Sequence, residues 1–228
     1  MEKRMLNDMP EVVYDKDWLI NAENKVLYEM YRGNYECKND EKIAHQHNLR
    51  YDVTIIPPGN LGKEFVKTKG HYHPLVKGTF ITYPEMYQVL EGNAVFIIQK
   101  TLLNSVIDIV MLKATKGDII LIPPNYGHVT INSGKIPLKM ANWVSSSFNS
   151  IYLDYEENGG AAYFYLTDKS VIKNKKYQAL PNIREKIIPD FRKVFGVDDM
   201  YELIRDPKIL GFLNSPQLHP ELFRFVEN

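Results

Sequence analysis

An all-β jelly-roll barrel carrying a helical C-terminal tail is the fold that this sequence predicts, and three observations predict it. Between Tyr51 and Thr167 short apolar runs recur at regular spacing, broken by Gly and Pro. The 228 residues include 15 tyrosines and 13 prolines, a composition that suits strands and turns better than a helical bundle. Beyond residue 180 the period changes to that of helices.

The elements follow in order. Residues 1–36 form an N-terminal segment joining the barrel, with Val26–Tyr31 as a strand. The barrel proper is assigned to 37–168, and its polar opening, 37–50, reads as a loop. Asp52–Gly59 is a strand ended by a Pro-Pro-Gly turn, and Lys63–Gly70 a second strand that runs into a histidine pair. Met86–Leu90 ends at the Glu91-Gly92-Asn93 turn, and Ala94–Lys100 follows it. Val106–Leu112, Asp118–Ile122, His128–Asn132 and Leu138–Val144 add four strands, and Ala161–Thr167 one last strand. The Lys173–Lys176 charge run is a solvated loop. Ile183–Phe195 and Asp199–Ile204 carry helix-period apolar residues, interrupted by Pro189, so 180–228 is read as a helical extension.

Composition limits the function classes. Basic and acidic residues balance at 28 each, which gives no support for nucleic-acid binding. No apolar run approaches the ~20 residues of a membrane span, and Met1–Pro10 lacks a signal-peptide core. The lone Cys37 has no disulfide partner, which fits a reducing compartment, and a cytoplasmic location is expected. Cys37 itself reads as an incidental thiol.

The chemistry concentrates in His71-Tyr72-His73, Glu85 and His128. Residues two apart in a strand share a face, so both imidazoles aim at one point and Tyr72 at the other side. Three neutral imidazoles and a carboxylate suit Fe, Mn, Ni or Zn. The His45-Gln-His47 pair has the same spacing but lies in a polar stretch without further donors, and reads as a surface accident. His219, before Pro220, reads as a turn residue.

Two blocks carry a resemblance. Gly70-His71-x-His73, Glu85 and Gly92 form one; Gly117, Pro123, His128 and Asn132 form the other. Together they resemble the two signature motifs of the cupin superfamily, whose fold is a double-stranded β-helix. Asn125 stands where the second motif usually has glycine, and the spacer before Glu85 is longer than usual. Gly59–His73, Pro123–Asn132, Tyr28–Tyr31 and Pro84–Tyr87 more narrowly resemble the cupin-type, archaeal-type glucose-6-phosphate isomerases, over about residues 26–160. The resemblance implies reversible conversion of glucose 6-phosphate and fructose 6-phosphate. It implies a divalent metal on His71, His73, Glu85 and His128, with Fe(II) first and Mn(II), Ni(II) or Zn(II) as alternatives. It places Thr54, Thr68 and Gly70 at the substrate phosphate and Tyr28 and Tyr87 on the sugar, with Tyr152 a neighbour on the pocket wall. Glu85 would act as the proton-carrying base and Tyr87 would orient hydroxyls. A hydride shift would need no base, and both routes stay open. Asn149 stands near a position where family members often carry histidine. Mannose 6-phosphate isomerase, a sugar epimerase, a cupin dioxygenase and a sugar-binding module without turnover are the rivals. A homodimer is expected, C2 being the commonest symmetry.

Overall fold

The computed structural model describes residues 1–103 and 105–227. Its strands are β1 (Glu2–Met5), β2 (Val26–Tyr31), β3 (Leu49–Ile56), β4 (Asn60–Leu61), β5 (Glu64–Phe65), β6 (Glu85–Glu91) and β7 (Asn93–Leu102). They continue as β8 (Ser105–Thr115), β9 (Ile119–Ile122), β10 (Tyr126–Asn132), β11 (Leu138–Ser145), β12 (Tyr163–Tyr165), β13 (Val171–Lys173) and β14 (Arg184–Lys186). Short helices α1 (Lys16–Ile20), α2 (Lys38–Gln46), α3 (Leu153–Glu157) and α4 (Phe191–Phe195) lie between them. A six-stranded sheet ordered β1-β2-β3-β11-β6-β9 faces a four-stranded sheet ordered β10-β7-β8-β14. The two sheets form the jelly roll that the strand pattern predicts, open at its edges rather than closed into one ring. Apolar side chains of both inner faces meet between them, Phe96, Ile98, Ile120 and Met140 among them.

Gly92 sits where the chain leaves one sheet for the other. Its φ is +85°, and a Cβ there would lie 2.8 Å from Pro137 O, so the corner requires glycine. The hairpin proper is β7–β8, paired from Asn93↔Thr115 to Leu102↔Ser105. Strand β1 pairs with β2 and β2 with β3, so the first 36 residues supply two strands of the larger sheet.

Three segments differ from the sequence expectation. Ile183–Phe195, expected to be helical, begins instead with strand β14, which pairs in parallel with β8, and turns helical only after Pro189. The polar stretch 37–50 contains helix α2 rather than a loop. Asp40 and Glu41 in its first turn and His45 in its last complement the helix dipole, and Ala44 is the one residue it buries. So narrow an apolar stripe leaves no period to read. The Lys63–Gly70 strand is also shorter than expected: only Glu64–Phe65 forms a ladder, followed by isolated bridges Lys67↔Ile131 and His71↔His128. Gly70, at φ +83°, breaks the pairing between those bridges.

The C-terminal tail covers the outer face of the larger sheet. Phe191, Leu210, Phe212 and Phe223 pack with Met86, Leu121 and Trp143, and the Trp143 indole donates to Met200 O at 2.9 Å. Beyond α4 its turns are 3-10 helices, because Pro207, Pro216 and Pro220 forbid longer α-helical runs. Arg184 on β14 grips Asp108 of β8 through two nitrogens, fastening the tail to the smaller sheet. Phe212→Ala should therefore cost about 3–5 kcal/mol of unfolding free energy, read from the midpoint of urea denaturation.

Candidate metal centre

His71 and His73 leave an extended segment on the same side, with their Nε2 atoms 3.1 Å apart. Tyr72 points the other way, and its hydroxyl accepts from Gln99 Nε2 at 2.7 Å. His128 arrives from β10 beside them, held by the paired backbone bonds of the His71↔His128 bridge. Glu85 comes from the facing sheet, at the start of β6. One donor atom from each of the four lies within 4.8 Å of every other. Glu85 Oε2 is 3.3 Å from His73 Nε2, 3.5 Å from His128 Nε2 and 4.0 Å from His71 Nε2.

The donor set fits a cation. Glu85 Oε1 accepts from Asn142 Nδ2 at 2.7 Å, while Oε2 is buried without a hydrogen-bond partner. His73 Nδ1 lies 2.8 Å from the Tyr83 carbonyl, which can only accept. The ring hydrogen therefore sits on Nδ1, and the Nε2 lone pair faces the cluster. Burial, helped by the His128 and His73 rings, holds His71 well below its ordinary range. Burial likewise brings His128 down to about 4, against the upward pull of Glu85 and with the push of His73. Burial would raise the Glu85 carboxyl, but the facing histidine rings, His73 foremost, outweigh it and hold the group low. Neutral imidazoles and an ionised carboxylate are the protonation states that a metal needs. The Tyr87 hydroxyl, 3.1 Å from His128 Nε2, is pushed far up by burial and by Glu85, and keeps its proton.

The cluster forms part of the wall of a cavity of about 410 Å³, which Tyr28, Thr54, Thr68, Gly70, Tyr87 and Tyr152 also line. The structure thus brings every residue named above as a metal ligand or a substrate contact to one cavity. Thr68 Oγ1 accepts from Thr130 N at 3.0 Å, leaving its hydroxyl hydrogen to donate. A Cβ on Gly70 would come 2.5 Å from the Tyr155 ring, so no larger residue fits. Tyr152 lies 5.5 Å from the His71 ring, centre to centre. Lys69 turns away: its ammonium meets Asp8 O at 2.8 Å and Glu156 Oε1 at 2.5 Å.

Other wall residues escaped the sequence reading. Arg32, Arg50 and Asn142 line the cavity, and Phe148 stacks on Tyr83 and lies 4.5 Å from the His73 ring. The alternation Arg50-x-Asp52-x-Thr54 along β3 was the available signal, since it puts polar groups on an inner face. Asn149 also lines the cavity. His45 is on α2, away from the cluster, and His219 pairs with Glu221 at 3.7 Å. Cys37 is exposed. Among the described residues no helix is long and apolar enough to cross a membrane.

Residues 3–182 match the family model described as Glucose-6-phosphate isomerase. The chain belongs to the glucose-6-phosphate isomerase family. It is similar to the glucose-6-phosphate isomerases of Pyrococcus abyssi (31% identical over 137 residues) and Thermococcus litoralis (30% over 137 residues). Each alignment covers 59% of this chain and 64% of the relative, so the chain spans somewhat under two thirds of the length of the curated isomerases it matches. Among solved structures, Lactobacillus farciminis oxalate decarboxylase aligns at TM-score 0.40 and 19% identity, over 55% of this chain and 31% of that one. A Bacillus subtilis oxalate decarboxylase structure, titled for its Mn(II) centres, aligns at TM-score 0.41 and 15% identity, over 63% and 32%.

Two outcomes are expected of this site in the isomerase-family chain. Asn142→Ala, which frees Glu85 Oε1, should weaken metal affinity by roughly 10–100-fold in a chelator competition. His128 returns from about 4 to 6.5 on unfolding, so between those values the unfolded chain binds more protons. Metal-free protein should thus lose stability as pH falls from 6.5 to 4, by roughly 3 kcal/mol at ~1.4 kcal/mol per unit. Urea denaturation at pH 7 and 4.5 measures the loss, and His128→Gln should reduce it, leaving the part that His71, likewise held low, contributes.

Proposed function

We propose that the chain is a metal-dependent aldose–ketose isomerase interconverting glucose 6-phosphate and fructose 6-phosphate, in glycolysis and gluconeogenesis. One observation carries the reading. In a chain of this family, four clustered metal donors, three of them buried, share a cavity with Thr54, Thr68, Gly70 and Tyr28, groups suited to a phosphorylated sugar. Thr68 donates its free hydroxyl hydrogen to the phosphate, while Gly70 lets the phosphate approach the backbone closely. Thr54 and Tyr28 complete that end, and Tyr152 covers the sugar.

His71, His73, Glu85 and His128 hold a divalent ion, Fe(II) foremost, then Mn(II), Ni(II) or Zn(II), as an imidazole-rich set with one carboxylate suits. Such an ion, when bound, polarises the sugar carbonyl and makes the neighbouring C–H more acidic. In the base route Glu85 carries the proton between C1 and C2. Its Oε2, the oxygen that Asn142 leaves free, also faces the ion and is weakened as a base by it, whereas a hydride shift between the same carbons needs no base. Tyr87 keeps its proton and orients the sugar hydroxyls from beside His128. Phe148, stacked on Tyr83 and tilted against the His73 ring, excludes water from that flank. The 37–168 barrel with its joined 1–36 segment holds the whole site, and 180–228 is an extension that stabilises it from outside. We place the enzyme in the cytoplasm as a homodimer, in keeping with its single, exposed cysteine.

The test is glucose 6-phosphate formation from fructose 6-phosphate by chelator-stripped protein re-supplied with each of the four metals. Turnover should return with metal and be lost in His73→Ala by at least ~100-fold, more than 2.7 kcal/mol of transition-state stabilisation. Metal binding without turnover under any of them would sink the assignment.

A further inference from the structure

Arg50, Asp52 and Thr54 alternate along β3 and so share the inner face of the larger sheet. Register sets their depth. Thr54 pairs with Met140, which pairs with Val89, whereas Arg50 pairs with Val144, which pairs with Glu85. Arg50 therefore stands level with the metal cluster, two strands and about 10 Å away. Thr54, at the end assigned to the substrate phosphate, lies about 13 Å along the strand from it.

Asp52 is fully buried and holds the guanidinium in place. Its two oxygens accept from Arg50 Nε, each at 2.9 Å, from Arg32 Nη1 at 2.7 Å and from Gly33 N at 2.9 Å. Only the Nε of Arg50 is engaged; its two terminal nitrogens make no hydrogen bond among the described residues, and the side chain lines the cavity. Two guanidinium charges thus stand against one buried carboxylate. Glu2 lies 3.8 Å from Arg32, but its side chain is 61% exposed and solvent screens it. A fixed arginine with its terminal fork open is what a phosphate accepts from in bidentate fashion. The neutral C1 and C2 oxygens of a sugar monophosphate leave that charge unanswered.

We propose that Arg50, backed by Arg32, is a second anion subsite at the metal end of the cavity, and that it takes the second phosphate of a hexose bisphosphate. This rests on the reading of Thr54, Thr68 and Gly70 as the first phosphate site. A sugar phosphorylated at both terminal carbons then spans the cavity, sits on both subsites and competes with the monophosphate substrate.

Calorimetric titration of the metal-loaded protein with fructose 1,6-bisphosphate and with fructose 6-phosphate tests this. The wild-type protein should bind the bisphosphate at least ~10-fold tighter, 1.4 kcal/mol. In Arg50→Gln the ratio should fall to within about threefold of unity, because the fork that binds bidentately is gone. Equal affinities in the wild type, or a preference that survives Arg50→Gln, would overturn the subsite. Should Arg50→Gln fail to fold, Arg50→Lys decides: a point charge without the fork should lose at least about threefold of the preference. An undiminished preference there would equally overturn it. The titration reads binding and not rate, with fructose 6-phosphate supplied as its equilibrium mixture with glucose 6-phosphate, so the two readings fail separately. A bisphosphate preference in a protein that never turns over would sink the isomerase and leave the subsite standing; turnover without the preference would do the opposite.

Discussion

Three imidazoles and a carboxylate packed around one point, out of water, form an arrangement that protein groups alone cannot satisfy. Glu85 Oε2 has no hydrogen-bond donor, and the His71 and His73 Nε2 atoms approach to 3.1 Å. A buried anion without a partner costs several kcal/mol, and protonating the rings to pair it would set like charges against one another. A cation at its centre would answer both the free carboxylate oxygen and the facing ring nitrogens. The surroundings serve that end: Asn142 occupies the other carboxylate oxygen, and the Tyr83 carbonyl fixes the His73 tautomer.

Holding these donors in place requires both sheets. The histidines belong to β10 and the segment bridged to it, whereas Glu85 belongs to the opposing sheet. Any slip of β6 against β11 by one residue would turn Glu85 outward. Register is protected from outside, where Trp143 and Met86 are packed under the tail. Gln88, on that same outer face, accepts from Met200 N and donates to Asp198 O. The tail thus contributes to the site without touching it, by making the larger sheet buried on both faces.

Polar groups on the inner face of β3 extend the same logic. Asp52 is buried because two arginines and a backbone amide satisfy it, and the arginines in turn are oriented by it. Such a triad is costly to bury unless its free edges face a polar ligand or solvent. The cavity supplies that outlet.

Much of this was legible from one dimension. The strand pattern from Tyr51 to Thr167, the shared face of His71 and His73, and the motif pair that adds Glu85 and His128 are local or pattern-level features, and local geometry dictates them. Helix α2 was not legible, because it buries only Ala44 and is polar elsewhere. Nor was the break at Gly70, which a turn-compatible glycine permits but only the neighbouring Tyr155 ring enforces. Asn142 and Arg50 looked like ordinary strand residues. They acquire roles through partners 57 residues away in one case and through cross-strand register in the other. What the chain alone determined was which donors exist and that pairs of them could face one way. Which oxygen of Glu85 is left free, and which arginine edge opens into the cavity, depend on long-range packing and were decided only when the two sheets met.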